Sequence, residues 1–259
     1  MNVALVGIAK NEDHYIDEWI EYHLKLGFSK IVIYQNDWRY VGKYINDPKV
    51  QLIEWDGRNK QLPAYNNFIQ NNYKNFDWAG FLDIDEFVVL KQDSNISDFL
   101  EKYNDYYSVG LNWSMLGSNG LEFNGEYSVI KRFTRCREKL IREVKCFINF
   151  NKSANSLSFS DPHNVSQFNR TISVDKTHFI NGYWNKENRY NRSIAYINHY
   201  YVKTKEEWKH KMARGWPINM NGVVPNNYEV VLFENRNTEE YNELEDLTAY
   251  NVMYGDKNQ

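Results

Sequence analysis

Apolar and polar positions fall in alternating blocks along the first hundred residues. Val3-Ala4-Leu5-Val6-Gly7-Ile8-Ala9 is apolar throughout, which predicts a strand buried on both faces. Ile16, Trp19, Ile20, His23 and Leu24 then recur at helical spacing and predict an amphipathic helix. Asn11 or Asp13 is expected to cap its start, and Gly27 stands where a helix ends on a left-handed residue. His23 falls on the apolar face and reads as a hydrogen-bonded core histidine. Second and third strands follow at Lys30 to Tyr34 and Val50 to Trp55. A polar helix runs from Pro63 to Asn72, and Trp78-Ala79-Gly80-Phe81-Leu82 leads into Asp83. This order predicts an α/β fold with a Rossmann-like mixed sheet, mostly parallel in its N-terminal half. Helices should cover both faces, and ligands should bind at the C-terminal strand ends.

Beyond Ser97 the pattern loosens. A short helix is expected from Ile96 to Tyr103, a strand from Val109 to Trp113, and a loop at Gly117-Ser118-Asn119-Gly120. Asn149 to Asn169 is polar and aperiodic, so it reads as a long functional or mobile loop. Ile194 to Val202 predicts a strand, and Glu206 to Arg214 a helix ended by Gly215 and Pro217. With no repeat and no linker, residues 1–259 read as a single domain.

Charge narrows the function. Lys and Arg number 31 against 34 Asp and Glu, a balance that argues against nucleic-acid binding. No apolar run approaches the roughly 18 residues of a membrane span. Met1 to Ala9 lacks the basic start of a signal peptide. The two cysteines, Cys136 and Cys146, form neither a CxxC pair nor a disulfide framework. The expectation is a cytosolic, reduced protein. Its 20 Tyr and 8 Trp suit surfaces that bind sugars or nucleobases, or equally reflect a biased genome.

The sharpest chemical signal is Phe81-Leu82-Asp83-Ile84-Asp85-Glu86-Phe87. Two carboxylates spaced by one residue at a strand terminus should point the same way. Such a pair suits a hard divalent cation that keeps waters and also takes phosphate oxygens. A cation-bridged diphosphate is a good leaving group, because the ion neutralises the charge that develops as its bond breaks. The plain alternative is a solvated turn with incidental acids. Ala9, Lys10 and Asn11, at the end of the first strand, should face the ligand crevice and touch a nucleotide base or ribose.

Lys10-Asn11-Glu12, Glu18-Trp19, Tyr22-His23 and Gly27, followed by Asp83-Ile84-Asp85-Glu86-Phe87, together resemble glycosyltransferase family 92 and its bacterial relatives in the family-2-like group. The likeness continues through Trp113, Gly117-Ser118 and Asn198-His199-Tyr200-Tyr201-Val202-Lys203-Thr204-Lys205. It ends in Glu206-Glu207-Trp208, Lys211 and Arg214-Gly215, and spans about residues 1–220. The resemblance implies a GT-A fold with three parts. These are a nucleotide-binding half (1–95) ending in the DxD motif, an acceptor-side half (96–220) and a C-terminal extension (221–259).

It also implies a UDP-hexose donor, galactose first, a manganese or magnesium ion, and inversion at the anomeric carbon. The expected acceptor is a saccharide or glycolipid in bacterial surface glycan assembly, with peripheral contact expected at the inner membrane face. Asp83 and Asp85 match the family's metal pair. His199, followed by Lys203, looks like the histidine that completes a metal shell and the lysine that meets a diphosphate. His163 is the other candidate third ligand. Glu86 is expected to orient a loop or ligand.

Gln61 and Tyr65 resemble donor-pocket positions. Asn36, in Gln35-Asn36-Asp37-Trp38, stands where the family usually has Asn-x-Ser-x-Asp, and is placed with the nucleotide-binding residues. Lys145-Cys146-Phe147 only loosely matches the family's basic strand. Trp113 and Trp184 are candidates to stack on a sugar or to pack in the core. His178 and His210 read as structural or surface residues. The general base is expected at Asp161, with Glu122 as the alternative. A retaining transferase, a metal-dependent nucleotidyltransferase or phosphohydrolase, and a non-catalytic carbohydrate-binding protein are the rival readings.

Overall fold

Strand β1 (Val3–Ala9) lies between two parallel neighbours, β2 (Lys30–Gln35) and β4 (Trp78–Phe81), and β3 (Val50–Glu54) runs parallel to β2. The computed structural model describes residues 1–152, 157–165, 170–180, 182, 184–185, 190, 192–213 and 233–255. Beyond β4 the sheet turns mixed. β8 (Val144–Asn149) is antiparallel to both β4 and β6 (Ser108–Met115), and β11 (Thr171–Ser173) with β12 (Phe179–Ile180) forms the far edge. The parallel N-terminal half is the arrangement the sequence predicts.

Alternate residues of β1 serve opposite faces. Val3 and Leu5 pack with Trp19, Ile20 and Phe28 under helix α1 (Ile16–Lys25). Ala4 and Val6 pack with Tyr65, Phe68 and Phe81 under helix α2 (Gln61–Asn72), which starts two residues before its expected onset at Pro63. Gly80 lets the strands close up. A Cβ there would lie 2.3 Å from the ring of Phe147, its register partner on β8.

Three local expectations are corrected. Neither Asn11 nor Asp13 caps α1. Tyr15 occupies the cap position without a side-chain capping bond, Asn11 adopts a left-handed backbone, and Asp13 accepts from the Trp38 indole instead. Asp83 and Asp85 are not successive same-face residues of a strand. They sit in a turn between β4 and an unforeseen strand, β5 (Glu86–Leu90). Nor is Asn149 to Asn169 one long loop. Asn149 closes β8, and β9 (Phe159–Asp161) with β10 (Asn164–Val165) forms a hairpin. Phe159 anchors that hairpin edge-on to Tyr65 and Phe81, which explains why a polar segment folds onto the sheet. Gly27, with φ of 90°, ends α1 as expected.

Strand β13 (Ala195–His199) pairs antiparallel with β5 and parallel with β6. The described part of residues 221–259 is built into the body. β14 (Leu244–Glu245) pairs with β7 (Arg135–Cys136), and helix α6 (Thr248–Tyr254) meets α1, where Lys25 donates to the Met253 carbonyl at 2.7 Å. Gly215 and Pro217 lie outside the described residues. Cys136 and Cys146 are both buried, and neither is joined in a disulfide among the described residues. Among the described residues no helix is long and apolar enough to cross a membrane.

His23 is the core histidine expected. Its Nδ1 lies 2.8 Å from the Trp19 carbonyl and its Nε2 accepts from the Val88 N–H at 3.4 Å, which suits the neutral tautomer. Burial pushes its pKa down to about 3. Between the usual 6.5 and that value the unfolded chain binds a proton that the folded chain excludes. Stability should therefore fall with falling pH across this window, by up to about 1.4 kcal/mol per pH unit from this residue. Urea denaturation between pH 7 and 4.5 should show a slope that His23→Gln reduces. An unchanged slope in that variant would refute the assignment.

Candidate active site

The turn from Leu82 to Asp85 is held at both ends. Leu82 N–H donates to Val6 O at 3.0 Å, and Asp85 O accepts from Tyr200 N–H at 2.9 Å. Glu86, with no exposed surface, reaches back so that its Oε2 accepts the Asp83 N–H at 3.0 Å. It orients the loop, as a residue directly after the pair can. Burial raises the Glu86 carboxyl well above the carboxylate range, against the pull of Lys145.

Asp83 faces the α2 side. Its Oδ1 accepts from Gln61 Nε2 at 2.6 Å and its Oδ2 from Lys145 Nζ at 3.0 Å. Lys145 enters from β8, is 1% exposed, and also lies 3.4 Å from Glu86. Burial works against ionising Asp83, but the Lys145 ammonium outweighs it and holds the carboxyl below its ordinary value. Tyr65 does not line an open pocket. It is fully buried, and its hydroxyl accepts from Gln61 behind Asp83.

Asp85 faces β13 and helix α5 (Lys205–Ala213). Its Oδ2 accepts from Lys211 Nζ at 2.7 Å, and its Oδ1 lies 3.4 Å from His199 Nε2. Burial again opposes the charge, and Lys211 and His199 together still hold Asp85 well below the usual range. Burial also lowers the His199 pKa, so the imidazole is neutral near pH 7. Its Nδ1 is buried and has no hydrogen-bond partner among the described residues. Trp113 lies edge-on to His199 at 4.4 Å and near His163 at 5.0 Å. His163, on the hairpin, has Nδ1 3.1 Å from the Val144 carbonyl, and burial beside Lys145 lowers its pKa to about 4. Asp161 Oδ1 accepts the His163 N–H at 2.9 Å, turning the chain around Pro162.

Lys203 holds a left-handed backbone with φ of 56°, and its ammonium lies 4.6 Å from the centre of the Tyr15 ring. The Tyr15 hydroxyl donates to Glu207, which also takes both guanidinium nitrogens of Arg132 at 2.7 and 2.9 Å. Thr204 donates its N–H and hydroxyl to the same carboxylate, and Glu207 N–H returns a bond to Thr204 Oγ1, a capping box that starts α5.

The remaining predicted residues are spread around this centre. Ala9 is buried, and its carbonyl accepts the Asn36 N–H. The Asn36 amide donates to the Trp55 and Gly57 carbonyls, so it ties two loops together. Lys10 pairs with Asp37 at 3.1 Å, and Asn11 is exposed. Glu122 is exposed in the loop after β6. Trp184 is covered by the Arg142 guanidinium at 3.9 Å. His178 contacts Asn185, and His210 is exposed. Sequence reading did not assign Lys145 or Lys211 to the site. A lysine amid Val144, Cys146, Phe147 and Ile148 was the available signal, since a buried ammonium must find a carboxylate.

Among the described residues no group of three or more His, Cys, Asp or Glu side chains is arranged to hold a metal ion. The site instead offers an edge of two donors, Asp85 Oδ1 and neutral His199 Nε2. Their 3.4 Å spacing is close to the roughly 3 Å between neighbouring donors on a six-coordinate ion with bonds of about 2.1 Å. Two protein donors fit a cation that completes its shell with water and phosphate oxygens. Asp83, the other carboxylate of the motif, accepts from Gln61 and Lys145.

A model of glycosyltransferase family 92 matches residues 4–229. A family 92 protein of Ricinus communis is 23% identical over 222 residues, which is 82% of this chain and 37% of that protein. A second, from Oryza sativa subsp. japonica, is 24% identical over 115 residues, or 42% of this chain and 20% of that protein. The chain thus spans little more than a third of the longer match. Among solved structures, S. aureus TarS 1–349 in complex with UDP-GlcNAc aligns over 98% of this chain and 70% of its own, with a TM-score of 0.45 and 13% identity. The family match takes in the Asp83–Asp85 turn, both lysines that meet it and His199: the chain belongs to glycosyltransferase family 92.

Proposed function

We propose that this chain is a glycosyltransferase that moves a hexose, galactose in the first instance, from a UDP-sugar to a saccharide acceptor with inversion. The observation that carries the reading is the Asp83–Asp85 turn at the C-terminal ends of parallel strands, with a lysine on each carboxylate and a neutral histidine beside the second. Family membership supports the nucleotide-sugar donor. Asp85 and His199 would hold a manganese or magnesium ion, which would supply positive charge to the departing diphosphate. Lys203 adds a point charge for that diphosphate. Ala9, Lys10 and Asn11 border the nucleotide, and Gln61 fixes the Asp83 carboxylate.

The hairpin carrying Asp161 and His163 forms the acceptor side. The acceptor oxygen bonds to the anomeric carbon as the bond from that carbon to the diphosphate oxygen breaks. The electron pair leaves with the UDP, and the hydroxyl proton passes to Asp161. The setting is assembly of a bacterial surface glycan at the cytoplasmic side, with the protein in peripheral contact with the membrane.

Incubation with a mixture of nucleotide sugars and candidate saccharides, with and without EDTA, tests the reading by chromatography of the products. A new glycoside together with UDP, lost on chelation, is expected. Release of free sugar or phosphate alone would favour a hydrolase. Asp161→Asn keeps the turn-forming oxygen but removes the proton acceptor. Transfer should fall by about 10²-fold with UDP affinity unchanged. Turnover like that of the wild type would move the base to Glu122 or another acid.

A further inference from the structure

Each aspartate of the turn already carries its own ammonium group. Lys145 Nζ lies 3.0 Å from Asp83 Oδ2, and Lys211 Nζ lies 2.7 Å from Asp85 Oδ2. Lys211 thus already matches the Asp85 charge before a dication arrives, while Lys145 lies between Asp83 and Glu86. The Asp85 and His199 side chains are 12% and 6% exposed, so water screens little there. A bare dication at the Asp85–His199 edge would add two positive charges beside Lys211 with nothing to offset them. A nucleoside diphosphate supplies the missing negative charge.

Lys211 is not needed to dock its helix. α5 is already fastened by the Arg132–Glu207–Tyr15 cluster and by Trp208, which is 1% exposed. Lys211 also donates to the Tyr201 carbonyl at 3.1 Å and lies 4.1 Å from the centre of the Tyr201 ring. That seat remains when Asp85 takes another partner.

We propose that Lys211 is a positioning residue that holds Asp85 against a free divalent cation, so that cation and diphosphate enter the site together. The inference rests on the reading of Asp85 and His199 as the cation's ligands. Binding linkage makes the effect reciprocal: whatever nucleotide adds to cation affinity, cation adds to nucleotide affinity. Removing the lysine charge should then strengthen binding of the cation alone and shrink the coupling.

The test titrates Mn2+ into wild type, Lys211→Met and Lys211→Arg, reading free Mn2+ by electron paramagnetic resonance, first without nucleotide and then with UDP. Wild type should bind Mn2+ at least about tenfold more tightly with UDP, within the usual range of coupling. Without UDP, Lys211→Met should bind Mn2+ at least about tenfold more tightly than wild type, and Lys211→Arg should match wild type. A merely structural lysine would give the opposite result, with lower thermal stability and weaker Mn2+ binding in the Met variant. Lys211→Gln repeats the measurement should the Met variant fail to fold. Mn2+ affinity in the neutral variants no higher than in wild type overturns the proposal. UDP that leaves Mn2+ affinity unchanged in every variant overturns the donor reading instead, and Mn2+ alone still decides whether Lys211 guards Asp85.

Discussion

Asp85→Asn is expected to lower hexose transfer by about 10³-fold, the upper end for losing a group that stabilises developing charge. The amide keeps the size of the side chain, and the backbone bond from Tyr200 N–H to the carbonyl at position 85 is untouched, so the turn should keep its shape. What disappears is the negative charge that Lys211 and His199 face. The cation edge then retains one imidazole and a weak amide oxygen. Transfer rates measured alongside UDP affinity, with and without Mn2+, provide the check. UDP should still bind weakly, but Mn2+ should no longer improve it. Retention of Mn2+-dependent UDP binding in this variant would move the cation away from Asp85. Asp83→Asn is a less clean probe, because it also takes from buried Lys145 its nearer counter-charge.

Arg132→Met should destabilise the fold by about 3–5 kcal/mol, the loss seen when one partner of a buried ion pair is removed. Arg132 and Glu207 are each 6% exposed in their side chains, and the guanidinium meets both carboxylate oxygens. The Glu207 pKa reflects the balance: burial opposes its charge, yet Arg132, Thr204 and Tyr15 bring it down to about 2. Without Arg132 the carboxylate keeps its hydrogen bonds but loses the only full charge among those partners. Denaturant unfolding measures the loss. Adding Glu207→Gln should recover part of it, since the amide removes the stranded charge. A loss below about 1 kcal/mol would place this pair with ordinary surface bridges.

Most of the first ninety residues were legible, because strands buried on both faces must be apolar throughout and an amphipathic helix must repeat every three or four positions. The period of two misled at Asp83 and Asp85, where the chain turns directly into β5. Local pattern carries no sign of a strand that bends away to pair with residues a hundred positions later. Phe159 likewise looks like a stray aromatic in polar surroundings until its partners on α2 and β4 are known. The acids of the site were legible from their spacing, whereas Lys145 and Lys211 come to them from distant segments. Asn36 and Tyr65 read as donor-site residues from the sequence, whereas in the fold their polar atoms bond to the framework.

The two lysines that pair with the turn lie 62 and 126 residues further along the chain than the aspartates they meet. During synthesis the acidic turn therefore emerges long before its counter-charges, and β4 can pair with β1 well before Lys211 has been made. Contacts of such long sequence separation form late, since the loop-closure entropy must be met first. A nascent or truncated chain with a formed N-terminal parallel sheet would carry an acidic, unguarded turn and no competent site. Catalytic competence should arrive as one of the last events of folding, after most of the chain has committed to its topology.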